Sequence, residues 1–365
     1  MFSVADHEFM ARALRLAELG LWTTSPNPRV GCVLVKDGRI VGEGWHRRAG
    51  EAHAEIHALK AAGADALGAV AYVTLEPCSH FGRTPPCAKA LIDAGVSRVV
   101  AAMQDPNPEV SGRGLAMLRE AGIEVVCGLL EAEARELNIG FVSRMTRQRP
   151  WVRLKMAASL DGRTALANGQ SQWITGAAAR QDGHRWRARA CAILTGMGTV
   201  RDDDPQLTVR GVDTTRQPLR VVVDGRLEIS PSARVLGSGT VIATASEEGA
   251  LSDALRARGA EVWSLANTAG RVDLSRLLTL LAQRGINEVH VEAGRGLSGA
   301  LFAAGLVDEL LLYMAPCLLG SDARGLVDLP ELSSLAEKVA LKISDLRVLG
   351  DDLRILARVV PAKAP

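Results

Sequence analysis

Two successive runs of alternating helix-like and strand-like segments meet at the short basic stretch "RQRPW" (147–151), and this alternation restricts the possible folds more than any other feature. In the first run, "HEFMARALRLAELG" carries apolar residues at helical spacing and ends on glycine. "VGCVLVKDGRIVGEGW" reads as two strands turned at Asp37-Gly38, a dipeptide suited to a two-residue hairpin. "AHAEIHALKAA" reads as a helix, "AVAYVTLEPC" as a strand and "PPCAKALIDAG" as a helix opened by proline and closed by glycine. "SRVVAAM", "GRGLAMLREAG" and "IEVVCG" continue as strand, helix and strand, and "LLEAEARELNIGFVSRMT" as one closing helix. The second run begins at Trp151. Its strand-like stretches are "WVRLKMAASLDG", "CAILTGMGTV", "PLRVVVDG", "TVIATAS", "EVWSLA", "INEVHVEAG" and "ELLLYMAPCLL", with helical patterns at 176–190, 273–284 and 297–305. Such alternation calls for a largely parallel or mixed sheet with helices on both faces. The chain therefore reads as α/β with two domains, 1–147 and 148–365, and its 365 residues suit that number.

Hydrophobic residues make up 47% of the chain and charged residues 23%, the balance of a folded globular protein. A net charge of +2 gives no reason to expect nucleic acid or a membrane as partner. The start, "MFSVADHEFMARAL", lacks a basic segment ahead of an apolar core and does not read as a signal peptide. The apolar stretch "ALFAAGLVDELLLYMAP" is broken by Asp308 and Glu309 and is too short to span a bilayer. The expectation is a cytoplasmic protein whose six cysteines stay reduced. Cys32, Cys127, Cys191 and Cys317 lie in apolar runs and are expected to pack in cores. Cys78 and Cys87 do not.

Those two cysteines belong to "EPCSHFGRTPPC" (76–87), about twenty residues after the "HAE" of His53 and Glu55. One imidazole and two thiolates are good zinc ligands, and three protein ligands leave a fourth position for water, as in a catalytic site. Prolines before each cysteine stiffen the loop. Cys87 falls at the start of a helix, where the dipole favours a thiolate. Zinc lowers the pKa of bound water from 15.7 to roughly 7. Glu55 is then the group to move the proton to a leaving amine. The order H-x-E followed by P-C is that of zinc deaminases, with the second cysteine nine positions after the first rather than three. His53, Cys78 and Cys87 are thus expected to hold one zinc ion per chain, with Glu55 catalytic; His57 and His80 are read as ordinary surface or core histidines.

The segments "TSPNPRVGCVLV", "GEGWHRRAGEAHAEIHAL" and "VTLEPCSHFGRTPPC" closely resemble the deaminase half of the bifunctional riboflavin-biosynthesis deaminase/reductase family. The resemblance implies a cytidine-deaminase-like three-layer domain. It also implies that Asn27, His46 and Arg83 contact the ring, ribose or phosphate of the substrate, Arg83 standing where members often carry lysine.

In the second run, Gly294 to Gly299 fits G-x-G-x-x-G between a strand and a helix. A dinucleotide fingerprint of the Rossmann type opens its domain; this one comes late, so that fold is rejected. The local physics still suits a phosphate at a helix N-terminus, and equally a plain strand-to-helix turn. "KMAASLDGRTA", "SQWIT", "TGMGTVRDDDPQLTVR" and "VEAG" resemble the reductase half of the same family, and the two halves together cover nearly the whole chain. That resemblance implies a dihydrofolate-reductase-like α/β domain using NADPH. It implies cofactor contacts at Ala157, Trp173, Thr199, Asp203, Gly225 and the loop Gly294, Arg295, Gly296, Leu297, Ser298, Gly299 and Ala300. It implies substrate contacts at Lys155, Ser171, Arg187, Leu207, Arg210 and Glu292. Arg187 and Arg210 would suit a ribose phosphate; the other arginines of 176–190 are expected to be solvated. Met197 stands where the family usually has a smaller residue.

The activity implied is zinc-dependent hydrolytic deamination of 2,5-diamino-6-(5-phosphoribosylamino)pyrimidin-4(3H)-one, followed by NADPH-dependent reduction of the ribosyl chain to ribityl. Small phosphoribosyl pyrimidines are the expected partners, with a homo-oligomer (dimer or tetramer) as a family expectation. A deaminase of RNA bases fits poorly with 4% aromatic residues and near-neutral charge. A zinc-stabilised binding module without turnover would leave Glu55 without a role. No proton donor for the reductase is legible in the sequence.

Overall fold

The computed structural model describes residues 2–79, 85–247 and 249–360; Arg83 and His80 lie outside them. The chain divides into two compact units, Met1–Arg149 and Pro150–Pro365.

In unit 1 the order is α1 (Val4–Glu18), β1 (Gly31–Lys36), β2 (Arg39–Trp45), α2 (Ala54–Ala62), β3 (Val70–Val73), α3 (Cys87–Asp93), β4 (Arg98–Ala101), α4 (Arg113–Glu120), β5 (Glu124–Cys127), α5 (Glu131–Leu137) and α6 (Ile139–Arg147). The strands form one mixed sheet, β2-β1-β3-β4-β5, with β1 antiparallel to both neighbours and β3, β4 and β5 parallel. Asp37 and Gly38 take φ of 51° and 74°, the left-handed pair that a tight hairpin turn requires. The alanines of "AHAEIHALKAA" explain the position of α2. Ala54, Ala58 and Ala62 recur every four residues and are buried against β2. On β2 they meet Gly42 and Gly44, where a Cβ would stand only 2.2 Å from the Ala58 carbonyl and 2.3 Å from that of Ala54. Small residues on both sides bring the start of α2, and with it His53, down onto the sheet.

The expected single closing helix is two. Asn138 breaks it because its buried side chain accepts from the Arg29 amide at 2.8 Å and donates to the Arg29 carbonyl at 2.9 Å. A buried side chain that must satisfy a distant backbone cannot also continue the helix.

Unit 2 contains β6 (Trp151–Ser159), β7 (Arg163–Ala165), α7 (Ala177–Arg189), β8 (Ala192–Gly196), α8 (Met197–Asp203), β9 (Leu219–Val223), β10 (Thr240–Thr244), α9 (Ala250–Ala257), β11 (Ala260–Ser264), α10 (Leu274–Gln283), β12 (Glu288–Val291), α11 (Arg295–Ala303), β13 (Glu309–Ala315), β14 (Arg324–Gly325), β15 (Leu341–Leu349) and β16 (Asp352–Val359). Nine strands form a sheet in the order β11-β10-β9-β8-β12-β6-β13-β16-β15. It is parallel as far as β13 and antiparallel at β16 and β15. One face is apolar, with Val152, Leu154, Val289 and Val291 in the core. The opposite face carries Arg153, Glu288, His290 and Glu309, all buried, beneath α7.

Three expectations change. The run "CAILTGMGTV" is a strand only to Gly196; Met197 starts α8, which also takes up Asp202 and Asp203. The final hairpin β15–β16 was not anticipated. Cys32 and Cys191 are buried, but Cys317 is exposed beyond the end of β13, and Cys127 is only partly covered.

Candidate functional site

In unit 1, His53 is the N-cap of α2, Cys78 follows β3, and Cys87 is the first residue of α3. Loops at strand ends and helix starts thus bring three residues of the sequence together. The Nδ1 of His53 lies 3.6 Å from the Cys78 Sγ and 3.3 Å from the Cys87 Sγ, and the three donor atoms all lie within 4.8 Å of one another. Tetrahedral bonds of about 2.3 Å to sulfur and about 2.05 Å to nitrogen would separate such donors by about 3.5 Å, so the spacing fits zinc.

The protonation chemistry fits as well. Hydrogen bonding from the Cys87 thiol holds Cys78 down to about 4, and the Cys87 amide also donates to that sulfur at 3.2 Å. The neighbouring Cys78 in turn pushes the Cys87 thiol upward. Side chains alone keep one thiolate here; a divalent cation among them allows two. Glu55 is 3% exposed, and burial, together with the Cys78 charge, pushes its carboxyl up to about 7. It is not one of the clustered donors, and neither is His57.

His46 and Asn27 flank the cluster. The His46 ring lies edge-on to His53 at 5.3 Å, with Nε2 3.1 Å from Asn27 Nδ2 and Nδ1 3.1 Å from the Ala52 carbonyl. Since a carbonyl only accepts, the His46 proton sits on Nδ1, and Nε2 accepts from the Asn27 amide. The Asn27 carbonyl oxygen is thereby turned away from His46 as an acceptor for a ligand.

Sequence reasoning overlooked Glu76. Its buried carboxylate accepts backbone N–H groups of Asp105, Gly112, Gly114 and Leu115 at 2.8–3.3 Å. It ties the start of α4 to the loop that carries Cys78. A Cβ on Gly114 would stand 1.9 Å from the Pro77 carbonyl, so the approach needs glycine.

In unit 2, two cavities share a wall. The first, about 550 Å³, is lined by all six residues expected at the substrate: Lys155, Ser171, Arg187, Leu207, Arg210 and Glu292. The second, about 800 Å³, is lined by Gly294, Arg295, Gly296, Leu297 and Met197. Lys155, Ala157, Thr199, Asp203 and Glu292 line both, and Trp173 lines the first. α8 explains how Thr199 and Asp203, four residues apart, reach one wall. Of the remaining residues in the glycine-rich stretch, Ser298 and Gly299 are buried, and Ala300 is exposed on the helix. A Cβ at Gly299 would collide with the Asp328 carbonyl, so that glycine serves helix packing. Gly225 follows β9 with its carbonyl bound to the Ala245 amide, outside the lining of either cavity.

The second cavity suits a dinucleotide. The α11 N-terminus opens on it with Gly294 as N-cap and no side-chain cap, and among the described residues nothing beyond the adjoining backbone comes within 4 Å of where a Gly294 Cβ would stand. Arg295 and Arg324 line its wall, Arg295 paired with Asp328 at 3.3 Å and Arg324 with Asp202 at 3.9 Å, and Asp203 and Glu292 line it as well.

Arg187 is not a solvated helix arginine. It is half-buried, chelates Glu292 through Nε and through Nη2 at 2.9 Å, and donates to the Thr208 carbonyl at 3.1 Å. Burial resists ionisation of Glu292, but Arg187 outweighs it and holds the carboxyl well below its usual range. Arg189 likewise pairs with buried Glu288, and Arg180 stacks 4.6 Å over the Trp173 ring. His184 and His290, both overlooked in the sequence, stand beside this site. His290 is fully buried with Nε2 3.5 Å from Glu292, and His184 lines the first cavity.

Fold and site together define a zinc-site unit of deaminase type joined to an α/β unit with a cavity suited to a dinucleotide. Residues 3–103 match the cytidine and deoxycytidylate deaminase zinc-binding region, and residues 150–355 match the RibD C-terminal domain. Riboflavin biosynthesis protein RibD of Escherichia coli is 51% identical over 95% of this chain and 98% of its own length. That of Haemophilus influenzae is 48% identical over 97% of each. The structure resembles Acinetobacter baumannii RibD with a TM-score of 0.91, at 44% identity over 98% of this chain and 99% of that one. It resembles a diaminohydroxyphosphoribosylaminopyrimidine deaminase/5-amino-6-(5-phosphoribosylamino)uracil reductase of Thermotoga maritima with a TM-score of 0.87, at 34% identity and the same coverage. The chain belongs to the RibD family of bifunctional riboflavin-biosynthesis enzymes. Among the described residues, no helix is long and apolar enough to cross a membrane.

Proposed function

We propose that unit 1 hydrolytically deaminates 2,5-diamino-6-(5-phosphoribosylamino)pyrimidin-4(3H)-one and that unit 2 reduces the ribosyl chain of the product to ribityl. The observation that carries the first step is the convergence of His53, Cys78 and Cys87 beside buried Glu55. Zinc held by these three supplies Lewis acidity that makes water a nucleophile near neutral pH. Glu55 takes one proton from the water and returns it to the exocyclic amine, which leaves as ammonia; the second water proton passes to the ring nitrogen as the ring carbon gains a carbonyl oxygen. Asn27 and His46, with Arg83 from outside the described residues, orient the pyrimidine phosphate.

The second step consumes one hydride and one proton. NADPH supplies the hydride when bound. Ala157, Trp173, Thr199, Asp203 and the stretch from Gly294 to Leu297 are assigned to the cofactor, supported by the cavity that Gly294 to Leu297 line; Gly225, Ser298, Gly299 and Ala300, outside that lining, are left out of the assignment. Lys155, Ser171, Arg187, Leu207, Arg210 and Glu292 are assigned to the substrate. The shared wall at Lys155, Ala157 and Glu292 would place hydride donor and acceptor side by side.

A single assay on the diaminopyrimidine phosphate tests both steps: the chain should release ammonia and oxidise NADPH in equal amounts. In the double variant T199A/D203A, ammonia release should persist while NADPH binding weakens by about tenfold or more, about 1.4 kcal/mol. A titration giving the wild-type affinity would reject the assignment of those two residues.

We also propose that copies of the chain associate, as a dimer or a tetramer. β15 is an edge strand whose Leu341, Ile343, Leu346 and Val348 are 43–70% exposed, an apolar row of the kind that association covers. Sedimentation velocity showing only the 38.7 kDa monomer at micromolar concentration would dismiss this. The six cysteines, all free, are compatible with the reducing cytoplasm that we propose as its location.

A further inference from the structure

Helix α7 presents Arg180, Gly183, His184 and Arg187 to the substrate cavity, positions that helical spacing puts on one face. The same helix also grips a neighbouring piece of backbone. Arg187 Nη1 donates to the Thr208 carbonyl at 3.1 Å, the Arg210 amide donates to His184 Nδ1 at 3.2 Å, and Gln181 Nε2 donates to the Gly211 carbonyl at 2.6 Å. Three side chains from successive turns thus follow residues 208–211. The segment begins at Leu207, whose φ of 51° is costly for a residue with a Cβ and persists only when its surroundings enforce it.

The contact at His184 fixes more than position. A backbone N–H can only donate, so Nδ1 must be the acceptor and the ring proton must sit on Nε2. Burial, and then the positive charges of Arg187 and Arg210, hold His184 down to about 4, so the ring is neutral at working pH. Nε2 takes no partner among the described residues and is not closed off from solvent. Arg187 is already engaged by Glu292 and Thr208, whereas the Arg210 guanidinium makes no hydrogen bond or ion pair with another described residue.

We propose that His184 is a positioning residue of the reductase: its Nδ1 pins the backbone of Arg210 so that the guanidinium meets the substrate's phosphate, and its Nε2–H is a second, uncharged donor to the same anion. This rests on the assignment of Arg210 to the phosphate. A positive ring could not accept the Arg210 amide, so the cationic setting and the tautomer serve one end.

The test uses the full-length chain and compares H184L, H184Q, R210A and Q181A in steady-state reduction of the deaminated pyrimidine phosphate. In H184L, KM should rise about tenfold with kcat within about threefold, because ground-state and transition-state binding of a remote phosphate are lost together. H184Q, whose amide oxygen can accept the Arg210 N–H, should return KM to within about threefold of wild type. Inhibition by inorganic phosphate should weaken in H184L as in R210A, while NADPH affinity and ammonia release stay unchanged in both. If R210A raises KM and H184L does not, the role of His184 is wrong and the phosphate assignment stands. If R210A leaves KM unchanged, the phosphate assignment fails and takes this inference with it. H184Q matching H184L would exclude the acceptor role. Should H184L not fold, Q181A at the exposed end of the same clamp decides: a rise in KM of about threefold supports the clamp, and an unchanged KM overturns it.

Discussion

Glu55→Gln should lower ammonia release about a thousandfold while zinc content and NADPH-dependent reduction remain those of the wild type. The substitution keeps size and hydrogen-bonding shape but removes the group that can take up and return a proton. Glu55 is 3% exposed, so bulk water and buffer cannot readily replace it. It stands two residues beyond His53, inside the first turn of α2, and lies outside the set of three clustered donors. Loss of metal is therefore not the expected route to inactivity. Burial and the Cys78 charge push the carboxyl up to about 7, close to the pH at which a proton shuttle is most effective. Metal analysis of the purified variant, run beside assays for ammonia and for NADPH oxidation, separates the outcomes. Ammonia release near the wild-type rate would remove Glu55 from the mechanism. Loss of zinc in the same variant would show instead that the carboxylate supports the metal.

The parts of this molecule legible in its sequence are those in which a local pattern and a distant constraint agree. The Asp37-Gly38 hairpin needs only two residues that tolerate positive φ, and the chain shows both. The zinc cluster was legible because few arrangements explain an imidazole, a carboxylate two residues on, and two proline-flanked thiols. Other features depend on partners far along the chain. Asn138 splits a helix-forming stretch on account of Arg29, 109 positions away, and no periodicity reveals that. α8 begins in the middle of an apolar run, where strand and helix look alike over a few residues. β15 did alternate, but its apolar row is exposed rather than facing a core, so it offered no sign of burial. Glu76 and His184 act through backbone groups, to which sequence motifs are blind. Arg189, which looked like part of a solvated helix face, proved to be the partner of buried Glu288.

The buried carboxylates lead to the second large effect, on stability rather than chemistry. Arg153→Met is expected to cost unit 2 about 3 kcal/mol. Arg153 is 1% exposed on β6; it pairs with Glu288 of β12 at 3.0 Å and, through Nε, with Glu309 of β13. Both carboxylates are fully buried, and the Trp186 ring of α7 covers the guanidinium at 4.4 Å. Methionine would fill the space and suit the strand, so neither packing nor propensity should account for the loss. The cost lies in two buried carboxylates that lose the guanidinium between them, while Arg189 stays 2.8 Å from Glu288 and Arg358 3.1 Å from Glu309. Breaking a buried ionic set is dearer than replacing it, so the triple variant R153M/E288L/E309L should recover part of the stability lost, with Arg189 and Arg358, 14% and 21% exposed, left to turn to solvent. The row also carries α7, and with it the side chains that grip residues 208–211. R153M should therefore weaken reductase turnover on warming before ammonia release declines, as Trp fluorescence and the two assays along one thermal ramp would record. If R153M melts with the wild type, the charged face under α7 is not what holds that helix in place.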